Sequence, residues 1–245
     1  MRKVCAKVVP KVLTDDQKSS RVEACQEVLD ICDCDFHVLH NVITGDETWV
    51  FEYDLETQIR SAEWHTSASP CPKNARMSKS EVNVMLIVLF DMGGLVHHEF
   101  VPNGTTINVK LYVQVLKRLK RRVYRIQPDI ADDWKHHHDN APAHTAFLVT
   151  GFLTNSKVPM IPQLPYSPVV APSVFFLFPR LKTPMKGHHF WTVDEVKEAY
   201  TKALKDIPDE AYHDASMPGN LAGSDVSKEK ESILKPFNVF NRSNQ

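Results

Sequence analysis

The chain has 245 residues, of which 42% are hydrophobic and 24% charged, and its formal net charge is −1. This composition is typical of a soluble globular protein with one moderate domain and appendages. No apolar stretch reaches the roughly 18 residues of a membrane span, and the basic N-terminus lacks the apolar core of a secretory signal. Five cysteines, an odd number, do not indicate a disulfide framework, so a reducing compartment is expected.

The first half of the chain predicts one helix followed by three strands. Thr14 and Gln17 form a capping box, and apolar residues continue at helical spacing to Cys32. The three strands are predicted over 41–53, with Asp46 near the middle, over 82–90, and over 95–101 after a Gly93-Gly94 turn. The run over 82–90 is continuously apolar, which is typical of a strand buried on both faces.

In the second half, helices and short strands alternate. The predicted elements are a helix over 108–123, a strand over 134–139, a helix over 142–154 that begins at Pro142, a strand over 158–164, a helix over 173–183 and a helix that begins at Thr192. This order predicts an α/β fold with a mixed sheet flanked by helices. The pattern is compatible with an RNase H-like fold but does not single it out.

The predicted domain organisation has three parts. We expect an interdomain linker and helical segment over 1–35, a single α/β domain over 36–212, and a disordered tail over 213–245. The tail is polar and aperiodic, which is the composition expected of a segment without a packed core.

Two aspartates are candidates for metal chemistry. Asp46 lies within a predicted central strand, and Asp139 lies at the end of another. Ligand sites in α/β sheets collect at such strand ends, and paired carboxylates suit a hard cation such as Mg²⁺. The alternative is that the two residues are unrelated turn or cap residues, which is the common case for any two aspartates.

Basic residues form two groups that could contact a polyanion. They are Lys73, Arg76 and Lys79 in the first group, and Lys117, Arg118, Lys120, Arg121, Arg122 and Arg125 in the second. The ordinary interpretation of such a cluster is a solvated helix face, and the sequence weighs the two interpretations about evenly. Cys32 and Cys34 have no second pair at zinc-site spacing, so we interpret them as reduced thiols.

Three strings resemble the catalytic core of the mariner transposases. They are TGDE at 44–47, HDNAPAH at 138–144, and YSPVVAPSVFFLFP at 166–179. Further segments match in order and spacing over roughly 1–212. The resemblance implies a retroviral integrase-like, RNase H-like fold, Asp46 and Asp139 as catalytic metal ligands, Mg²⁺ or Mn²⁺ as cofactor, DNA as partner, and a nuclear or nuclear and cytoplasmic location. It also implies structural roles for His138 and His144.

The sequence departs from the family pattern at the third catalytic position. In the family, 34 residues separate the second and third aspartates, and the 34 residues 140–173 place Val174 at that position. Val169 replaces the aspartate of the family's YSPDLAP string. His136 stands where an apolar residue is common, which we expect to weaken a core strand.

Other departures concern the ends of the chain and the linker. The resemblance begins inside the linker, so the helix-turn-helix readout of the family is expected to be missing. The family pairs subunits partly through this linker, which suggests a homodimer through residues 4–30, although Val8 replaces the usual tryptophan there. The unrelated tail replaces the family's own C-terminal continuation.

Together these observations predict a DNA-binding protein that does not catalyse strand cleavage and transfer. Nonspecific DNA binding survives in this hypothesis, while any Mg²⁺ or Mn²⁺ binds weakly at Asp46 and Asp139. One alternative is a residual metal-dependent endonuclease that recruits Glu47, Asp194 or Glu195 as the missing acid. The others are a dimerisation or protein-interaction module, and a transposon remnant without function.

Overall fold

The computed structural model describes residues 14–16, 19, 40–55, 78–161, 163 and 171–216. Of the predicted N-terminal helix, Asp15, Asp16 and Ser19 are helical, and the rest lies outside the described residues. The predicted dimer segment over 4–30 lies almost wholly outside them as well. Among the described helices, none is long and apolar enough to cross a membrane.

Five strands form one mixed sheet with the order β3-β2-β1-β4-β5. The strands are β1 (Val42–Phe51), β2 (Asn83–Asp91), β3 (Gly94–Phe100), β4 (Lys135–His137) and β5 (Met160–Ile161). The first three strands are antiparallel neighbours, while β1 with β4 and β4 with β5 are parallel pairs. The predicted mixed α/β sheet is therefore confirmed, and β1 lies at its centre.

The helices cover both faces of the sheet. They are α1 (Val109–Ile126), α2 (Phe147–Asn155), α3 (Phe178–Met185), α4 (Val193–Lys205) and α5 (Asp209–Ser216), with a π-helical turn at Ser173–Leu177 and a 3₁₀ turn at Pro128–Ile130. One core cluster joins Ile43 and Leu89 of the sheet to α1 and α2, and the other joins Val50 and Val88 to α3, α4 and α5. Successive side chains of β1 therefore enter different cores.

Helix caps and the hairpin turn form as the sequence predicts. The Asn108 side chain accepts a hydrogen bond from Leu111 N, and Thr192 Oγ1 accepts one from Glu195 N. Gly94 has φ +128°, a conformation that a residue with a Cβ rarely adopts. This glycine lets β2 turn directly into β3.

Several predicted boundaries are wrong. The helix expected to begin at Pro142 begins at Phe147, because Ala141 O accepts hydrogen bonds from both His144 N and Thr145 N and so closes a separate turn. The strands expected over 134–139 and 158–164 are shorter, Lys135–His137 and Met160–Ile161. The helix expected over 173–183 consists of the π-helical turn and α3.

The structure describes four residues beyond the point at which the tail was predicted to begin, 213–216. Helix α5 extends to Ser216, and Ala215 and Ser216 are buried. The boundary placed after residue 212 therefore falls inside a helix, one whose Tyr212 belongs to the second core cluster. Residues 217–245 lie outside the described residues.

His136 in strand β4 has hydrogen-bond partners for both of its ring nitrogens. His136 is fully buried, its Nδ1 lies 3.2 Å from the carbonyl oxygen of Ile43, and its Nε2 lies 3.1 Å from the Tyr112 hydroxyl. A neutral ring that donates from Nδ1 and accepts at Nε2 satisfies both contacts. The weakening expected of a histidine in this strand is therefore offset by its hydrogen bonds.

We predict that His136 makes the fold sensitive to acid. Burial lowers the pKa of His136 well below the ordinary 6.5, and the charges of neighbouring histidines lower it further. The unfolded chain then binds one more proton below pH 6.5, so the free energy of unfolding falls as pH falls, by up to about 1.4 kcal/mol per pH unit. Urea unfolding between pH 7.5 and 5 measures this slope.

The matched control combines His136→Leu with Tyr112→Phe, because this pair leaves no unpaired hydroxyl in the core. The double variant should lose stability less steeply below pH 6.5 than the wild type. An identical slope in both proteins would show that His136 takes up its proton in the folded state.

Candidate active site

The two candidate aspartates lie side by side at the centre of the sheet. The parallel pairing of β1 with β4 includes Thr44 opposite His137, and two residues further along each chain stand Asp46 and Asp139. Strand β4 ends at His137, and Asp139 follows it close enough to Asp46 for its charge to raise the pKa of Asp46. Two residues before the aspartates, Thr44 Oγ1 lies 2.9 Å from His137 Nδ1, and this contact links β1 to β4.

The residue before Asp46 has room only for a hydrogen atom. A Cβ on Gly45 would lie 2.9 Å from two side-chain carbons of Leu89 and 3.2 Å from Val88 O. The glycine therefore allows β2 to approach β1 closely at the position where the acid is carried. This explains in packing terms why a glycine precedes the aspartate here.

Asp46 holds its proton unusually strongly. Burial raises the pKa of Asp46 to about 7, and the negative charges of Glu47 and Asp139 act in the same direction. The hydrogen bond that its Oδ1 accepts from Glu47 N, at 2.7 Å, and the charge of His144 oppose the shift. Near neutral pH this carboxyl is therefore only partly ionised.

His144 links the two other carboxylates. Its Nδ1 lies 2.6 Å from Asp139 Oδ1, and its Nε2 lies 3.3 Å from Glu47 Oε1. Although burial lowers the pKa of His144, the hydrogen bonds to Asp139 and Glu47 outweigh it and raise the pKa to about 9. The hydrogen bond from His144 also lowers the pKa of Asp139. His144 is therefore a buried imidazolium between two carboxylates at neutral pH.

A stack of rings supports this imidazolium. The Tyr112 ring lies 4.0 Å from that of His144 at an angle of 27°, and its hydroxyl contacts His136. The His138 ring stacks on His136 at 5.0 Å. His138 and His144 are both buried and take part in packing, which is consistent with the structural roles expected for them.

Glu47 and Asp46 point to opposite faces of the sheet. Asp46 is four residues before Val50 on β1, so both side chains point toward the second core cluster. Glu47 points the other way and contacts His144, which stacks on Tyr112 of α1. Glu47 therefore has a different partner and a different environment from Asp46. The sequence offered no reason to separate the two neighbours beyond the alternation of a strand.

The third position of the family pattern lies on the π-helical turn. This turn packs against β1, and Leu177 at its end belongs to the cluster that contains Val50. Val174 is 37% exposed, and its side chain has no donor oxygen. π-helical turns are often found at functional sites.

The donor set does not fit a pair of divalent cations. Asp139 Oδ1 already accepts hydrogen bonds from His144 Nδ1 and from Ala141 N, at 2.6 and 3.0 Å. Among the residues that the structure describes, no group of three His, Cys, Asp or Glu side chains is arranged to hold a metal ion.

The candidate DNA-contacting residues are in different places. Lys73 and Arg76 lie outside the described residues, whereas Lys79 forms an ion pair with Asp54 at 3.2 Å. The second group lies in the C-terminal two thirds of α1 and consists of Lys117, Arg118, Lys120, Arg121, Arg122 and Arg125. Two of its members are engaged with β3: Arg118 holds Glu99 through two bonds of 2.8 Å, and Arg122 donates to Val96 O.

The sheet order and the position of the acids define an RNase H-like domain. A family model described as a transposase, partial DDE domain, matches residues 54–131, a range that contains neither Asp46 nor Asp139. In the solved structure of a Mos1 transposase paired-end complex with the left transposon end, the matching chain superposes with a TM-score of 0.83 at 26% identity, over 96% of this chain and 67% of that one. The isolated catalytic domain of Mos1 superposes with a TM-score of 0.71 at 24% identity.

Two curated proteins are also similar. The chain is 29% identical to the Mariner Mos1 transposase of Drosophila mauritiana over 209 residues, which are 83% of this chain and 59% of that protein. It is 26% identical to the Histone-lysine N-methyltransferase SETMAR of Homo sapiens over 209 residues, 84% of this chain and 30% of that protein. The chain thus spans less than two thirds of either relative. The predicted resemblance is confirmed: the chain is similar to the Mos1 transposase and to SETMAR, and it has the RNase H-like fold of the Mos1 catalytic domain.

We predict that His144 makes the folded state sensitive to alkali. Its folded pKa of about 9 exceeds the ordinary 6.5, so its contribution to stability is complete below pH 6.5 and is lost as pH rises through about 9. Urea unfolding in EDTA at pH 6.5, 7.5 and 9 measures the loss. The His144→Gln variant should be less stable at pH 6.5 and lose less stability than the wild type up to pH 9. Equal losses in the two proteins would contradict the bridging role.

Proposed function

We propose that this chain is a transposase-derived domain that binds duplex DNA without sequence preference and does not cleave it efficiently. The observation that carries the proposal is Val174, a side chain without a ligand atom at the position where the family count places the third acid. The π-helical turn that bears it packs against the strand that bears Asp46. A nuclear or nuclear and cytoplasmic location is part of the proposal.

Loss of one carboxylate removes the basis of two-cation catalysis. Phosphoryl-transfer sites of this kind hold two cations about 4 Å apart, which stabilise the attacking and leaving oxygens. Burial is the main cause that raises the pKa of Asp46 to about 7, and the charges of Glu47 and Asp139 add to the shift. We expect Asp46 and Asp139 to bind a single Mg²⁺ or Mn²⁺ weakly.

The proposal disfavours a residual endonuclease with a substitute acid. Glu47 faces the opposite side of the sheet from Asp46 and is held by His144. Asp194 forms an ion pair with Lys197 at 3.0 Å, and Glu195 accepts a hydrogen bond from Trp191 N at the start of α4. Both of these acids are thus used where α4 begins.

DNA binding depends on many weak contacts and survives single changes. Phosphate contacts need only positive groups at suitable positions, and they carry no sequence information. Solved complexes of Mos1 contain transposon ends, which supports DNA as the partner of this related domain. Lys117, Lys120, Arg121 and Arg125 are the candidates on α1, and Lys79 is a further candidate that is already paired with Asp54.

We predict that Val174→Asp restores metal binding and strand nicking. In a thermal unfolding titration with Mn²⁺, the variant should gain more stability than the wild type, because a ligand that binds the folded state stabilises it. Nicking of supercoiled plasmid should be about 100-fold faster or more in the variant, given what a single electrostatic contact contributes in other active sites. The combined variant Val174→Asp, Asp46→Asn is the inactive control. Equal nicking by the wild type and Val174→Asp would refute the proposed loss of catalysis.

We predict that DNA binding is sensitive to salt and insensitive to sequence. Each phosphate contact contributes about −0.9 to the slope of log affinity against log salt, so about four contacts weaken binding roughly 100-fold when salt rises fourfold. Fluorescence anisotropy with two unrelated duplexes of about 25 base pairs in EDTA measures both properties. Strong preference for one duplex, or no binding at low salt, would refute nonspecific DNA binding.

A further inference from the structure

Helix α2 carries no charged residue, although one of its sides faces solvent. Its sequence, FLVTGFLTN, is apolar or uncharged throughout. Val149 and Leu153 lie in the first core cluster, and Phe152 packs against it. Phe147 and Leu148, by contrast, are 87% and 58% exposed. A helix that is apolar on all sides is usually buried on all sides, so the outer side of α2 has the composition of a surface with a partner.

The middle of this outer side is open. A Cβ on Gly151 would meet no atom within 4 Å. Phe147, Gly151 and Thr154 follow one another at the spacings of a single helix side, and Thr154 is exposed. The distance between two packed helices depends on the side chains at their contact. A second helix can therefore approach α2 closely at Gly151.

An open cavity of about 350 Å³ lies at the C-terminal end of the same helix. Thr150 and Thr154 of α2 line it, together with Met160 of β5, which is 44% exposed. Lys157 is the charged residue of this lining. Strand β5 is at the edge of the described sheet. The cavity is at the lower end of the size range of ligand pockets, which suits a single aromatic side chain.

The exposed phenylalanine and the cavity lie at opposite ends of one helix. From Phe147 to Thr154 the helix rises about 10 Å, at roughly 1.5 Å per residue. If a second copy packs its α2 antiparallel, about a two-fold axis between Thr150 and Gly151, each Phe147 lies opposite Thr154 of the other copy, beside the cavity. No like charges meet along the two helices, because α2 has none. An uncharged helix offers nothing to a phosphate backbone, so a second copy is the partner that shape and charge favour.

We propose that α2 is a self-association surface, on which two copies of this chain pack antiparallel with Phe147 of each in the cavity beside Thr154 of the other. The contact is independent of DNA binding and does not involve residues 4–30. Two phenylalanines and two leucines, with the surface they cover, bury on the order of 1,000 Å², near the lower limit of a specific interface. The expected dimer is therefore weak and reversible.

The test measures self-association of the full chain by sedimentation velocity, in EDTA and without DNA. Phe147→Lys and Thr154→Lys place a charge at the two ends of the proposed contact, and each should raise the dimer dissociation constant at least about tenfold. The matched control is Trp191→Lys, which adds the same charge at an aromatic side chain that is 81% exposed. Trp191 precedes α4, a helix of the second core cluster, and its variant should leave the constant unchanged.

Phe147→Leu keeps an apolar side chain and should retain most of the association, and urea unfolding verifies that each variant is folded. Weaker association in Phe147→Lys and Thr154→Lys, but not in Trp191→Lys, establishes the α2 contact. A wild type that stays monomeric up to about 100 µM, or one that all three lysine variants weaken equally or not at all, refutes it. Loss in Phe147→Lys without loss in Thr154→Lys refutes the antiparallel arrangement. DNA binding is measured separately, so the two proposals can fail independently.

Discussion

The imidazole of His144 is the contact on which the acidic centre depends. Asp46, Glu47 and Asp139 lie around His144, and negative charge that is partly buried is costly without a positive partner. His144 supplies that partner to Asp139 and Glu47 through both of its nitrogens. Asp46, which His144 does not contact directly, responds instead by a raised pKa. Among the described residues, His144 is thus the positive side chain that the structure pairs with Asp139 and Glu47.

Tyr112 and His136 connect His144 to the core. Tyr112 stacks on His144, and its hydroxyl donates to Nε2 of His136, whose Nδ1 in turn donates to the backbone of β1. An apolar residue at position 136 would fill the same space but leave the Tyr112 hydroxyl without this partner. His136 and Tyr112 therefore satisfy each other's polar groups, and the histidine need not weaken the strand. A buried polar group is tolerated when its hydrogen-bond partners are present.

The sequence predicted the sheet better than the site. Continuous apolar runs and a Gly-Gly turn were sufficient for β2 and β3, and a helical stripe was sufficient for α1, because these signals are local. The start of α2 could not be predicted from Pro142, since the turn before it is set by hydrogen bonds of Ala141 to Asp139 and Thr145. The contact of Glu47 was missed for a similar reason. It depends on His144, which only the tertiary fold brings close.

The distribution of positive charge bears on how the proposed function works. In a site with two bound cations, the cations themselves neutralise the phosphate and the carboxylates together. If this domain binds at most one cation, as we propose, positive side chains must neutralise an approaching phosphate instead. Arg118 and Arg122 are poorly placed for this, because they anchor α1 to the far edge of the sheet. On α1, phosphate contacts then fall to the other basic residues, Lys117, Lys120, Arg121 and Arg125.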